Sequence, residues 1–126
     1  MAKTVDEMLA EARAKLERLV PMETNEAIET DGAVLVDIRS DNQRANDGTV
    51  PTAVHIPRNV LEWRCDPTSP HRDERVADTT KRLVLMCDEG YASSLAAAAL
   101  QELGHHDATD LEGGFQAWRA AGLPVR

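Results

Sequence analysis

The sequence predicts an α/β domain: a parallel sheet of about five strands, helices on both faces and an extra N-terminal helix. Three observations lead there. The apolar runs at Ala33–Val36 and Leu83–Met86 do not alternate with polar residues, the pattern of strands buried on both faces. Helical periodicity fills the stretches between such runs, so strand and helix alternate along the chain. The length, 126 residues, suits one domain with one core.

Thr4 to Leu19 is the clearest helix. Thr4 and Glu7 form a capping-box pattern, and Val5, Met8, Leu9, Ala12, Leu16 and Leu19 recur as one apolar stripe. That stripe is a clip across the domain or a dimer face, and folding back on its own domain is the simpler solution. Pro21 ends the helix or follows a short extended piece at Leu19-Val20. A short helix over Thr24–Glu29 leads to the turn signal Asp31-Gly32. After the strand Ala33–Val36, closed by Asp37-Ile38-Arg39, the polar stretch Ser40–Asp47 predicts a short helix stopped at Gly48. Ala53–Ile56, bounded by Pro51 and Pro57, predicts a strand, and Asn59–Arg64 a turn of helix. Cys65–Thr80 is rich in Pro, Asp, Arg and Ser and predicts an exposed excursion. Leu83–Met86 predicts a strand, and the Ala-rich run Ser93–Leu103 a helix capped by Gly104. Ala108–Leu111 predicts the last strand. Gly113-Gly114 breaks the chain before a final helix, Phe115–Ala121.

Composition narrows the function. The net charge of −8 argues against a nucleic-acid partner, because phosphate binding needs a basic face. No apolar run approaches the roughly 20 residues of a bilayer crossing. The N-terminus is charged, without the apolar centre of a signal peptide, and a cytoplasmic location is the expectation. The aromatics are Trp63, Tyr91, Phe115 and Trp118, so the core is aliphatic. The two cysteines, Cys65 and Cys87, read as free thiols with different roles, Cys65 as an incidental exposed one. His55, His105 and His106 have no partners at ligand spacing, so no metal site is expected.

Cys87 stands at the junction between the strand Leu83–Met86 and the Ala-rich helix. A thiol at the C-terminal end of a parallel strand lies where ligands bind in open α/β sheets. Gly90 allows a positive φ or a close backbone approach, and Ser93 reads as the helix N-cap. Successive N–H groups of the turn and the helix terminus then converge on the sulfur and favour a thiolate or persulfide anion. The plainer reading makes Cys87 a small buried hydrophobe at a strand end.

From Val34 onward the chain resembles a rhodanese-like domain, a single-domain member of the sulfurtransferase family. The resemblance is carried by Asp37-Ile38-Arg39, by Gly48-Thr49-Val50-Pro51, by Ala53-Val54-His55-Ile56-Pro57, and by the C-terminal stretch Leu111–Val125 with its two glycines, Trp118 and Gly122-Leu123-Pro124. It implies an N-terminal helical extension over residues 1–20 and the rhodanese-like domain over 21–126. It also implies sulfane-sulfur transfer through a cysteine persulfide, which is covalent catalysis in two half-reactions without a cofactor. Cys87 is then the nucleophile. Asp88, Glu89, Gly90, Tyr91 and Ala92 supply the cradle of N–H groups, and Ser93 opens the helix behind it. Asp37 and Arg39 match a strand-end pair that is more often a structural brace than a substrate contact.

The departures from the family pattern set the substrate expectation. Members that use thiosulfate commonly carry Arg just after the cysteine and again two residues after the glycine. Asp88 and Ala92 occupy those places, and Glu89 adds a second acid. A dianionic donor meets repulsion of about 1 kcal/mol per carboxylate at a surface. The expected donor is therefore a small-molecule or protein persulfide, or another neutral or cationic species, with a thiol or similar acceptor. Arg44, Arg58 and Arg64 lie in segments that the fold brings near the pocket mouth. Arg44 and Arg58 are candidate substrate contacts, with solvated surface arginines as the plainer reading. Trp63 is a candidate pocket wall, and Tyr91 a contact residue for a partner.

Two other functions share the fold. A phosphatase or arsenate reductase needs an Arg closing a longer anion loop, and Ser93 stands at that position. A non-catalytic binding or regulatory module that kept its cysteine is the alternative reading.

Overall fold

The computed structural model describes all 126 residues. Its elements are α1 (Val5–Arg13), α2 (Pro21–Asp31), β1 (Val34–Asp37), α3 (Asp41–Asp47), β2 (Val54–His55), a 3₁₀ turn (Arg58–Val60), α4 (Leu61–Cys65), β3 (Leu83–Met86), α5 (Ala92–Glu102), β4 (Thr109–Asp110) and α6 (Gly114–Ala120). The four strands form one parallel sheet in the order β2-β1-β3-β4. A parallel bridge between Leu19 and Leu111 adds a fifth extended segment beside β4. That accounts for the difference between four regular strands and the five expected.

The sheet is buried because its strands are apolar on both sides. Successive residues of a strand face opposite ways. Val36, Leu83 and Leu85 pack with Leu61, Ala96, Ala97 and Leu100 on one face. Leu35, Val84 and Met86 pack with Ala27, Phe115 and Trp118 on the other. All four residues of β3 are fully buried, which makes it the central strand that carries the thiol to the sheet's C-terminal edge.

The N-terminal segment departs from expectation. The capping box forms, with the Glu7 N–H donating to Thr4 Oγ1 and the Thr4 N–H donating to Glu7 Oε1, each at 3.1 Å. The helix, however, ends at Arg13 and not at Leu19. The reason is competition for backbone groups. The Leu19 N–H donates to the Asp110 carbonyl, and the Glu112 N–H donates to the Leu19 carbonyl, so the chain joins the sheet. Side chains satisfy the carbonyls freed along residues 14–20: Gln101 Nε2 donates to Lys15 O, and Thr109 Oγ1 donates to Glu17 O. Only part of the expected apolar stripe is covered. Ala12 is buried, whereas Val5 and Met8 are exposed. α1 lies against α5 of its own chain.

Two further expectations are corrected. The Cys65–Thr80 excursion is not simply exposed, because Cys65, Ser69, Val76 and Ala77 are buried. Asp73 organises it: its carbonyl accepts the Val76 and Ala77 N–H groups, and its carboxylate binds Arg75. The hydrogen bond from Arg75 holds the Asp73 carboxyl below the usual range. Cys65 is therefore a core residue. Ser93 is not an N-cap, since the cap position is Tyr91 and Ser93 lies inside the first turn of α5. No helix is long and apolar enough to cross a membrane.

Candidate active site

The reactive loop spans the step from β3 to α5. Cys87 is 7 % exposed and opens onto a cavity of about 300 Å³ lined chiefly by Arg39, Arg58, Asp88, Glu89, Tyr91 and Ala92. Its sulfur accepts the Gly90 N–H at 3.1 Å and the Ser93 N–H at 3.4 Å. The thiol donates to Ser93 Oγ at 3.3 Å. Of the amides expected to form the cradle, only that of Gly90 donates to the sulfur, joined by that of Ser93; the Tyr91 and Ala92 N–H groups have no acceptor within the protein. Such groups are free to bind an anion.

Two glycines make the loop's shape. Gly90 has φ +89°, and a Cβ there would lie 2.7 Å from the Gly113 nitrogen. Gly114 lets α6 approach so closely that a Cβ would lie 2.6 Å from the carbonyl oxygens of Cys87 and Asp88. The same approach lets the Phe115 N–H donate to Cys87 O and the Gln116 N–H to Asp88 O. α6 thus anchors the back of the loop, and Gln116 Nε2 also holds the Asp88 carboxylate at 2.9 Å.

Asp37 and Arg39 form a brace. Arg39 donates from Nε to Asp37 Oδ1 at 3.0 Å and from Nη2 to Asp37 Oδ2 at 2.9 Å, and Nη2 also reaches the Gly48 carbonyl. Its guanidinium lies 3.9 Å over the Phe115 ring, which couples the end of β1 to α6. Arg44 does not face the cavity but donates to Asp37 at 3.3 Å, so it belongs to the brace. Arg58 does line the cavity, with its charge engaged by Glu62 at 2.7 Å. Arg64 binds the His71 carbonyl, and Trp63 is exposed beside Leu103, away from the thiol. Tyr91 is exposed at the loop tip.

Four residues that the sequence reading passed over stand behind the loop. The buried Asp110 carboxylate accepts Ser93 Oγ at 2.7 Å, Ser94 Oγ at 2.8 Å and Arg18 Nε at 2.9 Å. Arg18 and Arg13 each donate to the Gly90 carbonyl at 2.8 Å. Asp110 carries one signal, an acid inside the last strand expected from sequence, Ala108–Leu111. Arg13 and Arg18 carry none.

The family model for the rhodanese-like domain matches residues 20–121. The chain belongs to the rhodanese-like domain family. Curated relatives of this rhodanese-like domain include a protein named thiosulfate sulfurtransferase GlpE from Pseudomonas syringae, 37% identical over 79% of this chain and 85% of the relative. Another, named sulfurtransferase, from Allochromatium vinosum, is 31% identical over 77% of this chain and 81% of the relative. A solved structure from Rhodopseudomonas palustris, described as a protein of unknown function and possible tyrosine phosphatase, superposes with a TM-score of 0.90 at 32% identity. It covers 100% of this chain and 96% of its own. Thiosulfate sulfurtransferase from Pseudomonas aeruginosa superposes with a TM-score of 0.70 at 26% identity, over 88% of this chain and 19% of that one. Sulfur transfer is the activity class these relatives support.

The two thiols of this rhodanese-like domain differ physically. Burial pushes the Cys65 thiol up to about 12, and Glu62 and Asp73 push the same way. In mildly alkaline buffer, iodoacetamide is expected to add one group to the folded protein, on Cys87, and a second only after denaturation. Peptide mapping checks the position, and native labelling of Cys65 would contradict the assignment.

Proposed function

We propose that the protein transfers sulfane sulfur through a persulfide on Cys87, from a small-molecule or protein persulfide rather than from thiosulfate. The observation that carries the reading is the sulfur seated on the N–H groups of Gly90 and Ser93, with further unpaired N–H groups beside it. In the first half-reaction the Cys87 thiolate attacks the outer sulfur of a donor R–S–SH. A new S–S bond forms to Sγ, the donor's S–S bond breaks, and the donor leaves as the thiolate RS⁻. In the second, an acceptor thiolate attacks that outer sulfur, takes it as its own persulfide and releases the Cys87 thiolate. Each step exchanges one S–S bond for another, so neither an oxidant nor a reductant is consumed.

The donor follows from charge. Asp88 and Glu89 line the mouth, and the one half-exposed cation there, Arg58, is engaged by Glu62. Each carboxylate repels a dianion by about 1 kcal/mol in this solvated setting. Phosphoryl transfer is disfavoured because Ser93 stands where the clamping Arg of that chemistry belongs. Intact-mass measurement after incubation with a persulfide donor is expected to show a gain of one sulfur atom, absent in Cys87→Ser. Absence of any gain from every donor would leave a binding module as the function. Faster loading from thiosulfate than from the persulfide would overturn the donor assignment, and turnover of an aryl phosphate would revive the phosphatase reading.

A further inference from the structure

We infer that the N-terminal segment is a working part of this site, in which Arg13 and Arg18 are positioning residues that hold the sulfur anion through the Gly90 carbonyl. The inference rests on the persulfide reading and extends it to residues outside the matched segment 20–121.

The charges around Cys87 can be taken in turn. The loop contributes Asp88 and Glu89, both acidic. The end of β1 contributes Arg39, whose charge is taken up by Asp37, and Arg44 shares that same carboxylate. Arg58, ahead of α4, is paired with Glu62. β4 contributes Asp110, which reaches the sulfur through Ser93 and is paired with Arg18. That leaves Arg13. Its guanidinium contacts no carboxylate. It donates from Nη2 to the Gly90 carbonyl and from Nε to Ser94 Oγ at 3.1 Å, and lies 5.4 Å from the Tyr91 ring centroid. Arg13 is therefore a cation held at the loop itself with no carboxylate of its own.

Its effect passes through Gly90, whose carbonyl takes the guanidinium while its own N–H donates to the Cys87 sulfur at 3.1 Å, and through the Tyr91 N–H on the far side of that carbonyl's peptide, which faces no protein acceptor. The Gly90 carbonyl oxygen is held by two guanidinium donors at 2.8 Å. In a trans peptide the N–H points opposite to the C=O. The N–H of that peptide belongs to Tyr91, so it faces away from the arginines, and it has no acceptor within the protein. Charged donors on the oxygen polarise the peptide and strengthen the N–H as a donor to an anion. Arg18 adds a second hold. Burial works against its charge most strongly, but Asp110, Glu112 and the Cys87 sulfur outweigh it and keep the guanidinium above its ordinary value. Through Asp110 it keeps the Ser93 hydroxyl beside the sulfur. The arrangement places positive charge behind the sulfur while the mouth in front stays acidic. The anion on Cys87 is favoured without attracting anionic donors.

The test is the rate of Cys87 alkylation across pH, with no sulfur donor present, for the native chain and for Arg13→Met, Arg13→Lys and Arg18→Met. Arg13→Met deprives no buried carboxylate of its partner, so the fold is retained. At neutral pH it is expected to slow alkylation roughly fivefold and Arg18→Met roughly tenfold, because each removes a positive charge that favours the thiolate. The gap closes at high pH, where every variant is ionised, and Arg13→Lys recovers much of the loss. A purely structural role would lower the thermal midpoint without a pH-dependent gap. An Arg13→Met protein with the native rate at every pH overturns the inference, even if Arg18→Met fails to fold. Because sulfur loading is not the readout, a protein that never gains sulfur but shows the gap would remove the persulfide reading and keep this one.

Discussion

Replacing Gly90 with alanine is expected to destabilise the domain by about 3 kcal/mol and to abolish sulfur loading. Two effects add. The backbone at Gly90 has φ +89°, which costs an L-residue about 1–2 kcal/mol. The new Cβ would also lie 2.7 Å from the Gly113 nitrogen, a backbone atom that cannot swing aside, and 3.3 Å from Arg18 Nη2. Relief of such overpacking by backbone movement costs about 1–3 kcal/mol. Any such movement withdraws the Gly90 N–H from the sulfur, since the same residue provides both. Denaturant melts and intact mass after persulfide treatment measure the two consequences. A Gly90→Ala protein with native stability and native loading would mean that the loop has room the geometry denies.

The second large effect is expected at Asp110. Its carboxylate is fully buried and accepts from Ser93, Ser94 and Arg18. Asp110→Ala leaves a guanidinium of low exposure unpaired and two buried hydroxyls without their acceptor. Breaking a buried ion pair from one side costs about 3–5 kcal/mol. Because Arg18 also ties residues 14–20 to the Gly90 carbonyl, the loss is expected to be regional as well as global. Trypsin should cut at Arg13 and Arg18 in the variant under conditions where the native chain resists. Asp110→Asn, which keeps the shape and one acceptor oxygen, should fall between the two. Equal denaturation midpoints for Asp110→Ala and the native chain would show that the network contributes nothing net.

The sheet was legible because its signals are local. Val34–Asp37 and Leu83–Met86 are runs of residues that suit a doubly covered strand, and Gly48 closes the first helix between them, α3. The thiol loop was legible for the same reason, being one contiguous stretch between two clear elements. What escaped was set by contacts distant in sequence. Helical periodicity continues through Leu16 and Leu19, but backbone pairing of Leu19 with Asp110 and Glu112 ends the helix early. Ser93 has the side chain of a cap, and a carboxylate brought in by β4 claims its hydroxyl instead. Chain proximity places Arg44 at the mouth, but its side chain turns to Asp37 and joins Arg39 on that carboxylate. Arg13 and Arg18 meet the loop only because the folded N-terminus lies across α5 and β4, 77 and 72 residues from Gly90 in sequence.

The bridge between Leu19 and Leu111 also decides how the molecule meets its neighbours. An open sheet margin is a template for further strands and a common starting point for precipitation. One margin here is β2, only two residues long and followed by Pro57. The other is a single bridging residue, closed two positions later by Pro21, which has no N–H to offer an incoming chain. Both flanks are therefore short, and each offers an incoming strand few hydrogen bonds for lateral stacking.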